Sequence, residues 1–441
     1  MLNKRKIKRE KEAEINFFEE FLKIEKHFFK DMLKKIRNVK DTRHQSYVEY
    51  QVEIILLVII LKNIFGIESM RSMTEKFNKK ECIENINRLT GCRLEELPHY
   101  DTINNFMCKL DNQEVEKIRD YMIAQLFKKR SLEQFRLMDK YWTVIIDATS
   151  IFNFPKRHCQ HCLKRQYKDK YTGEISREEY YHNVLEAKLV AGNMVLSLAT
   201  EFIENEDENV SKQDCETKAF KRLAKKLKEK YPKLPICILA DSLYASNPVM
   251  QLCKSNKWKY IIRFKDGSIP TLAEEFETIR KIEGFKGSDK FFVNEIEYRN
   301  EKINMAYATF WNKKKDKQTS FKYITNIKVT QNNFDKIIAA GRNRWKIENE
   351  GFNNQKTKRY KIEHANSLDY NAMKNHYLIT QMADIMRQLY EKGAEVLKNQ
   401  RKTIKEISSN LLETFRIRLL TENEDNNPLC KNPIRIRFLN T

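Results

Sequence analysis

The sequence predicts an α/β protein, α+β overall, in which an all-helical N-terminal domain precedes a mixed sheet flanked by helices. Three patterns support this fold class. Apolar residues recur at helical spacing through residue 128, β-branched runs alternate with amphipathic helices from Tyr141, and residues 265–333 alternate apolar with polar side chains. We therefore expect five regions: a helical domain (1–138), the first part of the sheet core (139–264), a β-rich insertion (265–335), the last part of the core (336–366) and a C-terminal helical region (367–441).

The N-terminal domain is predicted to begin with a charged helix over residues 1–35, whose phenylalanines form an apolar stripe. A more buried helix over 47–65 follows, and short helices with interspersed Lys and Arg continue to residue 128. This arrangement fits a DNA-binding domain of the helix-turn-helix type. A helical bundle that only packs on the next domain gives the same pattern, and both interpretations stay open.

The core is predicted from its strands. The run YWTVIIDATSIFNF is β-branched and aromatic, and it predicts a buried strand that ends at Asp147. Two strands joined by a tight turn, an amphipathic helix over 212–230 and the strand LPICILAD, which ends at Asp241, come next. After the insertion we expect a helix that carries Glu348, and further helices over 370–395 and 401–420. Strands interleaved with helices in this order suit a mixed sheet covered by helices.

The charge of the chain points to a polyanionic partner. Lys and Arg outnumber Asp and Glu by 83 to 61, a formal net charge of +22, and double-stranded DNA is the simplest polyanion to match it. The N-terminus shows no secretory signal, and the longest apolar run, residues 54–61, is too short to cross a bilayer. Nine scattered cysteines give no disulfide framework. We expect a cytoplasmic protein with no membrane partner.

Asp147, Asp241 and Glu348 are the candidate catalytic residues. Each aspartate stands where a predicted central strand ends, the usual place for functional groups on an open sheet, although a single strand-end aspartate is more often a turn cap. Three carboxylates held together repel one another unless a cation lies between them. Oxygen ligands without histidine suit Mg²⁺ or Mn²⁺, and two such ions can activate an attacking oxygen and stabilise a leaving oxygen at a phosphodiester.

The segments IIDATS and LADSLY, the β-rich insertion and the later RWKIE together resemble the DDE transposases of bacterial insertion sequences, with the insertion-sequence-four group as the closest match. The resemblance covers roughly residues 140–365. It implies an RNase H-like core interrupted by β-strands, in which Asp147, Asp241 and Glu348 hold two metal ions. It also implies cleavage that frees a 3′-OH, strand transfer between terminal inverted repeats and target DNA, a homodimer in the synaptic complex, and a nucleoid-associated location.

The last motif of that family reads Tyr, two residues, Arg, three residues, Glu, six residues, Lys. Arg344 and Glu348 match it and, four apart on a helix, can pair with each other. Gly341 takes the Tyr position and Gln355 the Lys position. The resemblance implies DNA contacts by Arg344 and Trp345, and the role of the missing lysine could pass to Lys356, Lys358 or Arg359. Glu350 is the rival to Glu348, because its spacing from Lys346 imitates the Arg–Glu pair.

Two further segments carry candidate chemistry. The loop RHCQHC offers His158, Cys159, His161 and Cys162 as ligands of a structural Zn²⁺, with His182 placed to approach from the following hairpin. A basic loop that touches DNA, with incidental cysteines, is the alternative. In KQDCETKAFKRL, the acids Asp214 and Glu216 lie near a helix start, where we expect them to favour the helix dipole.

The sequence therefore predicts a DNA transposase. A metal-dependent nuclease or resolvase with the same core is the first alternative, and terminal inverted repeats around the gene discriminate between the two. A domesticated, non-transposing DNA-binding protein is the second alternative. Its mark would be a lost carboxylate, whereas all three candidate acids are present.

Overall fold

The computed structural model describes residues 14–283, 288–312, 316–398, 400–421, 436 and 438. They form two compact units. Residues up to Ser131 and from Asn354 onward make up the first, which we call the helical unit, and Leu132–Asn353 make up the second, the sheet unit. Residues 1–13, within the predicted N-terminal helix, lie outside the described residues.

The N-terminal part of the helical unit consists of short helices. Their bounds are α1 Phe17–Phe28, α2 Met32–Arg37, α3 Val52–Ile64, α4 Met70–Phe77, α5 Lys80–Thr90, α6 Tyr100–Lys109 and α7 Asn112–Lys129. Helix α1 begins after Asn16, whose side chain accepts a hydrogen bond from the Glu19 N–H. Helix α3 is apolar on every side and buried, as expected of a core helix. In the part of the chain that the structure describes, no helix has both the length and the apolar character needed to cross a membrane.

The sheet unit is a mixed sheet with helices packed on it. Its strands are β1 Trp142–Phe154, β2 Leu163–Lys168, β3 Ile175–Ala191, β4 Met194–Ile203, β5 Ile236–Ala240, β6 Lys259–Phe264, β7 Lys290–Tyr298, β8 Glu301–Asn312 and β9 Lys317–Thr325. Its helices are α8 Glu216–Lys230, α9 Asn247–Ser255, α10 Pro270–Ile282 and α11 Gln331–Arg342.

The strand order confirms the predicted fold class. The strands lie in the order β2-β3-β1-β5-β6-β9-β8-β7, and β4 also pairs with β3. β5 runs parallel to both β1 and β6, whereas the other pairings are antiparallel. The arrangement β4-β3-β1-β5-β6 is that of an RNase H-like core, and it places β1 and β5 side by side at its centre.

The predicted β-rich insertion contains its strands and one element that the pattern did not predict. β7, β8 and β9 form an antiparallel group that continues the main sheet, because β9 pairs with β6. Helix α10 precedes them; it begins at Pro270, a residue suited to a first helical turn, and buries Leu272 and Phe276.

The segment after α11 is anchored in the core of the sheet unit. Ile347 and Phe352 belong to a buried cluster with Ile145, Leu239 and Ile261 of the central strands. Residues Ile347–Phe352 form a π-helical turn that packs against β1 and β4. The buried side chains of Ile347 and Phe352 therefore anchor the turn that carries Glu348.

The C-terminal part of the helical unit begins with a second π-helical turn, Asn354–Arg359. The helices α12 Tyr370–Gly393, α13 Glu395–Lys398 and α14 Ile404–Ile417 follow, which confirms the helices predicted over 370–395 and 401–420. Helix α12 is buried along almost its whole length, because it packs against α3, α6 and α7 within the same unit.

Candidate active site

Asp147 and Asp241 stand at the same register on neighbouring parallel strands. The pairing of β1 with β5 ends with Ile145 opposite Leu239, and each aspartate lies two residues farther along. Asp241 directly follows β5, as predicted. Asp147 does not end β1, contrary to prediction, because the residues after it keep their pairing with β3 as far as Phe154. The two acids therefore lie where the pairing of β1 with β5 ends, although β1 itself continues beyond this point.

Backbone N–H groups orient the two carboxylates. Asp147 Oδ1 accepts a hydrogen bond from the Ala148 N–H at 3.0 Å, and Asp241 Oδ1 accepts one from the Leu243 N–H at 2.9 Å. The second bond caps the short helical turn Ser242–Tyr244. Asp241 is thus a turn cap as well as a candidate site residue, and the cap holds its side chain in place.

The surroundings of Asp147 disfavour its charge. Burial raises the pKa of Asp147 to about 6, and the negative charges of Asp241 and Glu216 add to the rise, while the positive charge of Arg344 opposes it. Carboxylates that share a poorly solvated place resist ionising together. A pKa displaced by burial and by like charges is a common property of functional sites.

Glu216 is a further carboxylate beside this pair. It lies half-buried in the first turn of α8, where the buried Tyr244 hydroxyl donates to its Oε2 at 3.3 Å. Burial raises the pKa of Glu216, and the charge of Asp241 raises it further. The pKa of Tyr244 is also raised, by burial first and then by the charges of Glu216, Asp147 and Asp241. Tyr244 therefore contacts Glu216 and lies within the electrostatic influence of Asp147 and Asp241.

The sequence interpretation gave Glu216 only a helix-dipole role and missed its place among the acids. A usable signal was present. Glu216 stands three and four positions before Ala219 and Phe220, which are buried against the sheet, so helical spacing puts it on the inward face of α8. An acid on the inward face of a helix faces the sheet rather than solvent.

Arg344 and Glu348 do not lie on one regular helix, contrary to prediction. Helix α11 ends at Arg342, Arg344 lies in the turn that follows, and the π-helical turn starts at Ile347. Instead of facing Glu348, the Arg344 guanidinium donates to Asp147 Oδ2 at 3.3 Å. π-helical turns are rare and often mark functional sites.

Glu348 is exposed on a segment that contacts the strand of Asp147. Among the described residues, the groups of three or more His, Cys, Asp or Glu side chains whose donor atoms all lie within 4.8 Å do not include Asp147, Asp241 and Glu348. The fold thus brings Asp147 and Asp241 close together and puts Glu348 on an adjoining element. The three carboxylates are not within the mutual distance of a metal-binding group in the described part of the chain.

Glu350, the rival acid, is half-buried on the same turn. Its neighbour Lys346 donates from Nζ to the Gly192 carbonyl at 2.7 Å, which ties the turn to the β3–β4 connection. Burial lowers the pKa of Lys346, and the charge of Glu350 opposes that shift. Glu350 therefore interacts electrostatically with Lys346, the same lysine that ties the π-helical turn to the β3–β4 connection.

The residues predicted to contact DNA differ in their surroundings. Trp345 is 44% exposed, and Lys358 is exposed. Lys356 forms an ion pair with Glu363 at 2.8 Å. The Arg359 side chain is only 5% exposed, because it pairs with Glu391. Arg359 therefore belongs to the interior of the helical unit, contrary to its predicted role in phosphate binding.

Position 355, where the family motif has lysine, is a core position in this chain. The Gln355 amide donates to Asp384 Oδ2 at 2.7 Å and to Gln381 Oε1 at 3.0 Å, and the residue is fully buried. A neutral amide satisfies these acceptors without an additional buried charge.

The cysteine loop brings together a different set from the predicted one. Cys159 Sγ lies 3.7 Å from Cys162 Sγ, and the two sulfurs lie 3.4 and 3.5 Å from His182 Nε2. The His161 ring faces the Asn205 carbonyl at 2.8 Å instead. The His158 ring stacks on Phe154. His182 takes part because it lies in β3 opposite Phe152 of β1, next to the start of the loop.

Comparison with known proteins gives two family matches. A model described as "Transposase DDE domain" matches residues 139–383, more than half of the chain, and one described as "DDE_Tnp_1-associated" matches residues 33–122. No curated protein matches this sequence. Among solved structures, a cryo-EM structure of the piggyBac transposase synaptic complex with hairpin DNA aligns with 10% identity and a TM-score of 0.39, covering 90% of this chain and 80% of that one.

Proposed function

This chain belongs to the DDE transposase family, and from that premise we propose that it binds the ends of its own insertion sequence and cuts and joins DNA with Asp147, Asp241 and Glu348. It is a DNA transposase by family. The observation that carries the proposed site is the placement of Asp147 beside Asp241 at the point where β1 leaves β5. Acting on chromosomal DNA, it would work in the cytoplasm at the nucleoid.

Divalent metal ions are used by DDE transposase domains, and the acids of this chain fit such ions. Asp147, Asp241 and Glu216 supply only carboxylate oxygens, the donors that Mg²⁺ and Mn²⁺ prefer. Burial and mutual repulsion raise the pKa values of Asp147 and Glu216, and a divalent cation would offset both effects. We propose that Asp147, Asp241 and Glu348 hold two such ions, with Glu216 as an additional acid.

The bound ions would polarise the phosphodiester and the attacking oxygen. The protein's part is positional. Backbone N–H groups fix the Asp147 and Asp241 carboxylates, and the buried Ile347 and Phe352 hold the turn that presents Glu348. The positive charge of Arg344 partly neutralises Asp147. Because the Arg344 side chain is 26% exposed, it can also bind a DNA phosphate.

DNA binding is proposed for the surface as a whole. The net charge of +22 favours a long polyanion, and in the sequence the exposed Trp345 precedes Glu348 and the exposed Lys358 follows it. Because transposition joins two ends of one element, we propose a homodimer in the synaptic complex.

Excision in cells tests this function. The gene with its native flanking DNA would be placed on a plasmid, and loss of the intervening DNA measured for the wild type, Asp241→Asn, Glu348→Gln and Glu350→Gln. Asp335→Asn serves as the matched control, since its side chain is 74% exposed and pairs with Lys290 at the surface. We expect excision from the wild type and the control, a mild decrease for Glu350→Gln, and no excision from the other two.

A gel-shift assay on the terminal repeats accompanies this test, because the inactive variants should still bind DNA. Excision by Asp241→Asn at the wild-type rate would remove Asp241 from the site. Normal excision by Glu348→Gln together with an inactive Glu350→Gln would transfer the acid role to Glu350.

A further inference from the structure

Cys159, Cys162 and His182 surround one point at the base of the β2–β3 hairpin, away from the acids described above. The sulfur–sulfur distance is 3.7 Å, and the sulfur–nitrogen distances are 3.4 and 3.5 Å. Tetrahedral zinc with bonds of about 2.3 Å to sulfur and about 2.0 Å to nitrogen separates two thiolates by about 3.8 Å and a thiolate from an imidazole nitrogen by about 3.5 Å. From this match we propose that the three side chains bind a structural Zn²⁺ ion.

The loop is shaped for this arrangement. The Cys159 N–H donates to Cys162 Sγ at 3.3 Å, and the Cys162 N–H donates to the Cys159 carbonyl at 3.2 Å, which closes a tight turn with both sulfurs on one side. Asn205 also stabilises that turn, because its side-chain amide donates to the Cys162 carbonyl at 2.9 Å. The turn is thus held in a ligating form by bonds that do not use the sulfurs as donors.

The chemistry of the three donors favours a soft cation. Cys162 and His182 are fully buried, and Cys159 is half-buried. Two sulfurs and an imidazole are ligands typical of zinc, whereas Mg²⁺ and Mn²⁺ prefer oxygen. A disulfide would bring the sulfurs to about 2.05 Å and would leave the close approach of the imidazole unexplained. Three protein ligands leave the fourth position of a tetrahedral zinc ion to a water molecule or a further ligand.

Such an ion would fasten the chain entering β2 to β3. The loop from β1 supplies both cysteines, and His182 comes from the middle of β3. Beyond this point β2 and β3 continue as a hairpin with basic and aromatic side chains, in which the Arg165 guanidinium stacks on the Tyr181 ring at 4.8 Å. The site assigns the cysteine loop a role in holding that hairpin in place, independent of the DNA chemistry proposed above.

The test is metal analysis of the purified full chain, with variants that separate this ligand set from its neighbours. Cys162→Ser and His182→Ala remove proposed ligands. His161→Ala removes a ring from the same loop that faces Asn205 instead, and Cys92→Ser removes a half-buried thiol from the helical unit. We expect one zinc per chain in the wild type and in both controls, and a loss of zinc affinity of at least about a hundredfold in the ligand variants, beyond the cost of an outer-shell partner.

A second measurement covers ligand variants that fail to fold. Wild-type protein stripped of zinc and given Co²⁺ should show a thiolate-to-cobalt charge-transfer band, and the His161→Ala variant should show the same band. Chelation should lower the melting temperature of the wild type. Wild-type protein that contains no zinc and gives no cobalt–thiolate band would overturn the proposal, as would Cys162→Ser protein that retains a full equivalent of zinc.

Discussion

Each unit of this protein contains a charge cluster with limited access to solvent, buried in the helical unit and half-buried in the sheet unit, and the two clusters differ in their balance of charge. In the helical unit, Glu391 lies between Arg359 and Arg387 at 2.6 and 2.9 Å, and Asp384 adds a second negative charge. In the sheet unit, the negative charges of Asp241 and Glu216 act on Asp147, and Arg344 pairs with Asp147. One cluster is balanced, whereas the other has an excess of negative charge.

The pKa values record this difference. Burial alone would raise the pKa of Glu391, but Arg359 and Arg387 outweigh it and hold the pKa at about 2. For Asp147 burial and like charges prevail, and its pKa rises to about 6. In a balanced buried cluster, removal of one charge destabilises the fold because its partner is left uncompensated. An excess of poorly solvated acid is itself unfavourable, and such groups are common at functional sites, where a cation or substrate can supply the missing charge.

The largest effect on stability is expected in the balanced cluster. Glu391→Gln keeps the shape of the side chain but leaves Arg359 and Arg387 with only one negative charge of this cluster, that of Asp384, which should lower the free energy of unfolding by about 3–5 kcal/mol. Because the folded pKa of Glu391 is depressed, its contribution is present above about pH 4.5 and is lost as the pH falls toward 2. Denaturant titration at pH 7 and pH 3 measures both effects.

Glu395→Gln is the matched control for this change. Its side chain is 77% exposed and pairs with Lys398 at the surface, so we expect a change within about 0.5 kcal/mol. A Glu391→Gln protein as stable as the wild type at pH 7 would show that the cluster does not hold the helical unit together.

The unbalanced cluster predicts a smaller effect of opposite sign. Asp147→Asn removes a half-buried charge whose folded pKa lies above its unfolded value of 3.8, so the variant should gain up to about 3 kcal/mol of stability above pH 6. The gain should shrink as the pH falls from 6 and vanish below about pH 4, where the wild-type carboxyl is protonated in both states. Denaturation midpoints at pH 8 and pH 4 test this, with Asp335→Asn as the control.

The same variant separates function from folding. It should lose excision activity while becoming more stable, and Mg²⁺ should raise the melting temperature of the wild type more than that of Asp147→Asn. A variant that is destabilised at pH 8 would mean that Asp147 is a structural partner of Arg344, as the arginines are of Glu391.

Much of the sheet core was predictable because apolar, β-branched runs alternate with turn residues and amphipathic helices, and two of these runs lead to Asp147 and Asp241. The extension of β1 beyond Asp147 was not predictable in the same way. The following residues are equally β-forming, and only the pairing with β3 decides that they remain in the strand. Local sequence patterns thus identify helices and strands, whereas pairing with other strands decides where a strand such as β1 ends.

The candidate site was harder to predict where it depends on side-chain partners. The sequence prediction assumed regular helical spacing, which puts Arg344 and Glu348 on one face. The chain instead forms a turn at Arg344 and a π-helical turn at 347–352, and Arg344 pairs with Asp147. Gln355 departs from the family motif because it serves core acceptors, and Arg359 is buried for the same reason. Such roles depend on contacts distant in sequence, which spacing rules do not include.

The smallest predicted effect concerns Glu216, and it decides whether the unbalanced cluster has three members or two. Glu216→Gln keeps an acceptor for the Tyr244 hydroxyl but removes one negative charge. We expect the Mg²⁺ or Mn²⁺ concentration for half-maximal cleavage to rise about tenfold, equivalent to about 1.4 kcal/mol. Removing a like charge should also lower the pKa of Asp147 and move the acidic limb of the pH–rate profile to lower pH.

Glu229→Gln changes a 63% exposed acid at the other end of the same helix and should alter neither the metal dependence nor the pH profile. If Glu216→Gln matches this control in metal dependence and in pH profile, Glu216 only starts a helix, and the excess of charge in the sheet unit rests on Asp147 and Asp241 alone.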